Sequence, residues 1–358
     1  MSEVLQPGSG PIRGSAYLPS TPDHVLWGRL PCAIDEPVLT VEPGTEVTFD
    51  TVSHEGILED QGRDPKAFFG QYDVAAVLDD AIEIAASEVP HTFGVDGPHV
   101  VSRPVRVAGA RPGDLLAMTV VETLQRVPYG VISNRHGKGA LPGEYPREGG
   151  LFSAFASVSE DGAHGQLPLQ IGGEHLVEFP LAPFLGIMGV AVAGDARPHS
   201  VPPGRHGGNI DINLLTVGAT LYLPVQVEGA LAYVGDPHFA QGDGEVSLTA
   251  MEASLRATVR LDVVPHEDAV RRFGELAGPL GETAEHLVAT GMDEDLDVAM
   301  QNCVRNAIAL LESRYGMDPR LAYAYLSAAT DFDISQVVDV VKGVHARIRK
   351  ADFARLSP

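Results

Sequence analysis

Two periods of apolar residues run along the chain, and one gives way to the other near residue 265. Before that point alternation dominates. Ala219, Leu221, Leu223, Val225 and Val227 share one face of a segment whose other face carries Thr220, Tyr222 and Gln226. Leu255, Ala257, Val259, Leu261 and Val263 alternate with Arg256, Thr258, Arg260 and Asp262. A period of two sends successive side chains to opposite faces, so 219–227 and 255–263 are expected as half-buried antiparallel strands with one wet face. Weaker alternation marks 38–52, 99–108 and 115–123, with Pro43-Gly44 and Pro112-Gly113-Asp114 as turns. Beyond 265 the period lengthens. Asp293 to Tyr315 aligns Leu296, Met300, Val304, Ile308 and Leu311 on a helical stripe, with Gly316 as its C-cap. Asp318 and Pro319 are the expected N-cap and first residue of the next helix. A third helix is expected over 334–348, and a shorter helical pattern occupies 74–88. The expected fold is mainly β with C-terminal helices (α+β). Residues 1–265 would form a β-rich catalytic core, sandwich-like or barrel-like, and 266–358 a helical region packed on it.

Composition narrows the setting. The chain has 358 residues, 44% of them hydrophobic, which is enough for a large core and argues against disorder. A net charge of -23 repels phosphate backbones and anionic lipid, so neither nucleic acid nor a membrane surface is an expected partner. The 39 glycines and 27 prolines suit many short strands joined by turns. Cys32 and Cys303 lie far apart and form no CxxC, so neither a disulfide framework nor a thiolate zinc site is expected. The opening MSEVLQPGSG lacks the pattern of a signal peptide, and no apolar run approaches the ~20 residues that span a bilayer. The expected compartment is the cytoplasm.

Candidate chemistry concentrates in PGRHGGNIDIN (203–213) and GDPHFAQGDGE (235–245). A hairpin of 219–227 and 229–235, turning at Glu228-Gly229, would bring both loops to one end. Asp211 and His206 are possible ligands, Asn209 is an amide able to orient a substrate, and Gly207-Gly208 permits close backbone approach. Asp236 and His238 stand at i and i+2, which in a strand point the same way. Each feature also has a plain reading: Gly242-Asp243-Gly244-Glu245 as a turn, Asp236 as an Asx-turn residue. His91 and His99 read as loop residues entering a strand or as pocket wall, and His54 in Ser53-His54-Glu55 as a surface turn or a ligand. Imidazole and carboxylate donors without thiolate suit zinc, manganese or iron, which polarise a carbonyl and activate water. Glu245 is then the candidate general base. No GxSxG elbow and no GxxxxGK[ST] loop occurs, so water is the expected nucleophile.

Long blocks of the sequence resemble the acetamidase/formamidase family. They include GGNIDINLLTVGATLYLPVQVEGALAYVGDPHFAQGDGEVSLTAMEASLRATVRLDVV, GVDGPHVV with VAGARPGDLLAMTV, FPLAPFLGIMGVAVAG and LAYAYLSAATDFDISQVVDVVKGV, in that family's order over about four-fifths of the chain. The resemblance implies a fold with swapped-hairpin barrel elements, a homo-oligomer (often a dimer), a metal, and hydrolysis of formamide, acetamide or a related amide. Asn209 and Asp211 match the family's Gly-Gly-Asn-x-Asp element. Asp236, His238, Gln241, Asp243 and Glu245 match its Gly-Asp-x-His…Gln-Gly-Asp-Gly-Glu element, with Glu252 a little further on. The expected site thus has Asp211, Asp236 and His238 on a divalent metal, with zinc first and manganese, iron or calcium as alternatives. Glu245 is its base, and Asn209, Gly208, Gln241 and His206 contact the substrate. Residues 128–175 and 74–88 depart from the family pattern, so a lactam or imide remains an alternative substrate. Two readings compete with amide hydrolysis: a metal-dependent lyase or isomerase of small carboxylates, and a non-catalytic calcium-binding protein.

Overall fold

A computed structural model describes residues 4–356. Two β-sheets face each other, and helices cover the outer face of one. The first sheet has nine strands in the order Ala16–Leu18, Thr45–Asp50, Leu255–Val264, Leu115–Gln125, Thr220–Pro224, Leu280–Glu282, His286–Asp293, Lys342–Arg349 and Asp331–Gln336. The second runs from Leu176–Pro180 through His164–Pro168, Leu151–Val158, Tyr129–Arg135, Met251–Glu252, Ala232–Ala240 and Phe184–Val190 to Gly207–Asn209. Two further pairs, Val25–Trp27 with Val100–Ser102 and Leu39–Val41 with Val105–Val107, attach to Ala232–Ala240. Neither sheet closes on itself, so the architecture is an open sandwich rather than a barrel. No helix among the described residues is long and apolar enough to cross a membrane.

The main core lies between the sheets. Phe49, Met118, Leu221 and Val259 from the first pack against Leu185, Met188 and Val234 from the second, all at most 1% exposed. On the other side of the first sheet, Tyr222, Leu287 and Val344 meet Phe273, Leu310 and Leu326 of the helices. The expected wet face of 255–263 is only partly wet. Arg256 and Thr258 are fully buried, because the chain before Ala16 crosses them and Arg256 donates to the carbonyls of Gln6, Ser9 and Pro11.

Helix Leu296–Tyr315 starts at an Asp295 cap and ends at left-handed Gly316, as its pattern requires. Its buried stripe differs from the expected one, being Ala299, Cys303, Ala307, Leu310 and Leu311. The small residues let the helix press onto Gly291, where an added Cβ would lie 2.1 Å from the Cys303 nitrogen. Pro319–Ala329 is the expected next helix. Of 74–88 only Asp79–Ala86 is helical. The third expected helix does not form. Asp331–Gln336 and Lys342–Arg349 are a β-hairpin whose second strand also pairs with His286–Asp293. Ile334, Val337, Val338, Val340, Val341, Val344 and Ile348 fit helical spacing, but β-branched side chains lose rotamer freedom in a helix; Ile334, Val344 and Ile348 lie on the strands, and the four other valines fall in the connection between them.

Candidate metal centre and cavity

The expected 219–235 hairpin is absent, yet the two loops meet. Thr220–Pro224 belongs to the first sheet and Ala232–Ala240 to the second. The link is Phe184–Val190, which pairs with both neighbours: Ile187 lies opposite Asn209 on one side and opposite Gly235 on the other. Gly186 makes this junction possible. A Cβ there would lie 2.5 Å from Asp211 Oδ1, 2.6 Å from Asp236 Oδ2 and 2.6 Å from His238 Cε1. The absent side chain leaves a cradle bounded by three polar groups.

His238 is fully buried, with Nε2 3.1 Å from Asp236 Oδ2, 3.1 Å from Glu252 Oε1, and Nδ1 3.9 Å from Asp211 Oδ1. Glu252 lies directly across the sheet from His238. The other oxygen of Asp236, Oδ1, is 3.8 Å from His54 Nδ1 and 3.8 Å from His99 Nε2. Asp236 therefore stands between two histidine groups. His54 comes from the turn after Thr45–Asp50, and its Nε2 is 3.3 Å from Glu55. His99 leads into Val100–Ser102, and its Nδ1 is 3.0 Å from Ser200 Oγ. Glu245 completes a further group with Asp211 and His238. Three of these carboxylates sit on left-handed backbone: Asp211 at φ 47°, Asp236 at 50° and Glu245 at 45°. Such strain in non-glycine residues collects at sites where geometry is over-determined by function.

Charge is the unusual property of this centre. Asp211, Asp236, Glu245, Glu252 and Asp339 are all buried, and among the described residues no Lys or Arg pairs with any of them. Burial raises the Asp211 carboxyl well above its ordinary value, reinforced by Glu245, Asp339 and Asp236. Burial likewise raises Glu245, with Asp339, Glu252 and Asp236 adding to it. Asp339 is pushed up to about 7, chiefly by burial. Burial disfavours charge on His54, but the carboxylates around it, Asp236 and Glu55 first, win and raise it to about 10. His99 is lowered to about 4 by burial. Both ring nitrogens of His238, both oxygens of Asp211, and one oxygen each of Asp236, Glu245 and Glu252 have no hydrogen-bond partner. Unpaired buried acceptors are costly, and a cation among them removes the cost. The donor set of carboxylate oxygens and imidazole nitrogens fits a divalent metal of the zinc, manganese or iron kind.

The centre opens into a cavity of about 670 Å³. His54, His99, Asp236, Glu245 and Glu252 line it together with further polar groups that include Arg135, Lys138 and His199, and Phe93, Pro98, Val201, Leu248, Val338 and Val340 are among its apolar walls. Asn209 lines it too. Its Nδ2 donates to Asp339 Oδ2 at 2.9 Å, and its Oδ1 has no partner.

Of the expected site residues, Asp211, Asp236, His238 and Glu245 come together and Asn209 joins them. The others lie apart from the chemistry. Gly208, at φ 77°, shapes the strand that delivers Asn209. His206 packs on Gly204 and Gly208 rather than on the cavity, and burial lowers it to about 4. Gln241 ties backbone to backbone, donating to the carbonyls of Asp211 and Ser335 at 2.9 and 3.2 Å. His54 and His99 occupy the centre rather than a surface turn. Gly186 and Asp339 carried no local signal, since each acts through a pairing between distant segments.

The sequence matches the Acetamidase/Formamidase family over residues 73–197 and 191–348. It is 26% identical over 304 residues to a formamidase of Methylophilus methylotrophus, covering 68% of this chain and 74% of that one. It is 24% identical over 300 residues to an acetamidase of Mycolicibacterium smegmatis, covering 64% and 73%. The fold resembles the crystal structure of an acetamidase from Bacillus halodurans with a TM-score of 0.74, at 24% identity over 96% of this chain and 100% of that one.

Proposed function

The chain belongs to the acetamidase/formamidase family, amidohydrolases of carbon–nitrogen bonds other than peptide bonds, and on that basis we propose that it cleaves a small aliphatic amide to carboxylate and ammonia in this cavity, with a divalent metal, zinc first. The observation that carries the reading is Asp236, whose two oxygens face His54 and His99 on one side and His238 on the other, amid four more buried carboxylates. These groups, with Asp211 and Glu252, would hold the cation. A bound divalent cation supplies Lewis acidity toward a carbonyl and brings water into a usable pKa range of about 7.

The chain's own residues do the rest. Glu245 takes a proton from the attacking water and returns it to the nitrogen as the C–N bond breaks. Burial among other acids raises its carboxyl above the usual carboxylate range. The free Oδ1 of Asn209 accepts an N–H of the substrate amide, and Asp339 fixes the orientation of that side chain. The half-buried Leu248 and Val338 lower the local dielectric beside these groups and so strengthen the interactions.

One observation favours a second substrate reading. A cavity of about 670 Å³ exceeds what formamide or acetamide fills and lies in the range of sites for larger ligands. A longer amide, or a lactam or imide, fits the same chemistry. The test is ammonia or acid release from a panel of formamide, acetamide, longer amides, lactams and imides, with and without a chelator. Chelator-sensitive turnover of at least one amide is expected. Chelator-insensitive turnover throughout would remove the metal from the mechanism.

A further inference from the structure

A second cluster of ligand-type side chains lies behind the turn that carries Glu245, away from the cavity. Asp333 and His345 are a directly opposed pair across the C-terminal hairpin. Asp243 approaches them from the 241–245 turn. The His345 side chain is 0% exposed, and its Nε2 lies 4.0 Å from Asp243 Oδ1 and 4.0 Å from Asp333 Oδ2. That is too long for a hydrogen bond, so Nε2 has no partner while aimed between two carboxylates. The other ring nitrogen, Nδ1, is 2.9 Å from Ser335 Oγ. Burial lowers the imidazole below its usual value. If Nδ1 donates to Ser335, Nε2 turns a lone pair toward the two acids. Arg347, with Nε 2.7 Å from Asp333 Oδ2, offsets one of those charges and leaves the other.

We propose that His345, Asp333 and Asp243 form a second divalent-cation site that fastens the Glu245 turn to the C-terminal hairpin. The turn and the hairpin are already laced together. Gly244 donates to the Ser335 carbonyl at 3.2 Å, Val337 donates back to Gly244 at 3.1 Å, and Gln241 reaches the same Ser335 carbonyl. A cation is a further tie at a point where polar groups of the turn and the hairpin face each other unbonded. An imidazole with two carboxylates suits zinc or manganese. Tetrahedral zinc ligands lie roughly 3.3 Å apart at the usual bond lengths. The site therefore tightens by several tenths of an ångström on binding, through the partly exposed Asp243 side chain (43%) rather than the buried ring. Its role is to position Glu245, not to touch substrate, and it stands whether or not the cavity is an amidase site.

The test is equilibrium dialysis of the full chain against Zn²⁺ alone, with bound metal counted by mass spectrometry. Wild type is compared with His345→Ala, Asp243→Asn and, as a cavity control, His238→Ala. Asp243→Asn keeps the acceptor for Asn213 and alters an exposed position, so its folding is secure. Each of the first two variants is expected to bind one equivalent less than wild type, and the control to keep that equivalent. In parallel, the rise in melting temperature that Zn²⁺ gives His238→Ala should vanish in His238→Ala/Asp243→Asn. Wild-type stoichiometry in Asp243→Asn overturns the proposal. So does a His238→Ala protein that binds no Zn²⁺ at all.

Discussion

Two groups of buried charge begin within a few residues of each other, and they solve the same problem in opposite ways. In the first, Asp50 is gripped by Arg256 through bonds of 2.6 and 3.0 Å, and Asp80 by Arg126 at 2.8 Å. All four side chains are fully buried. Two acids face two guanidinium groups, and the spare nitrogens, Arg126 Nη2 excepted, reach carbonyls of residues 5, 6, 9, 11 and 51. The second group starts at His54. Among the described residues its five acids meet no Lys or Arg, five of their carboxylate oxygens have no hydrogen-bond partner, and its backbone is strained at Asp211, Asp236 and Glu245. Both groups pay the desolvation of charge. Only the first recovers it within the protein. The lesson is that charge balance and hydrogen-bond satisfaction, rather than burial or acidity, separate a structural cluster from one shaped for a ligand.

The contrast can be broken most severely at His238. His238→Ala is expected to lose the cavity metal and all measurable ammonia release while remaining folded by circular dichroism. Turnover at the wild-type rate would show that the second group holds no catalytic metal. Glu245→Gln is expected to keep the metal and lower kcat by about 10²-fold or more, the usual scale for a lost general base. An unchanged kcat would move that role to another carboxylate. In the first group, Asp50→Ala leaves two buried guanidinium groups short of a partner and should cost about 3–5 kcal/mol in urea unfolding. The smallest effect has the opposite sign. Asp211→Asn in metal-free protein removes one of several mutually repelling acids at a left-handed position that Asn tolerates. It should stabilise that form by about 1 kcal/mol. A destabilised apo Asp211→Asn would mean that the two groups are balanced alike.

What could be read in the sequence follows from how local each signal is. The strand at 255–263 and, in its first part Thr220–Pro224, the one expected at 219–227 announce themselves by alternation, and the helix ending at Gly316 by its period and cap. The meeting of Asp211 with Asp236 and His238 was legible, but its route was not. It depends on Phe184–Val190 inserting between the two segments, a pairing that no spacing between residues 209 and 236 encodes. His54, His99 and Asp339 arrive from three distant segments, each with an ordinary local context. The C-terminal hairpin was hidden because its apolar residues satisfy helical spacing as well. Its β-branched residues, of which Ile334, Val344 and Ile348 lie on the strands, were the available clue, and pairing with His286–Asp293 decides the outcome.

The most direct measurement is anomalous-scattering crystallography of catalytically active protein at the edge of the metal it contains. The expected result is a peak about 2.0–2.2 Å from a carboxylate oxygen of Asp236 and an imidazole nitrogen beside it. Active crystals with no anomalous peak in the cavity would contradict the account.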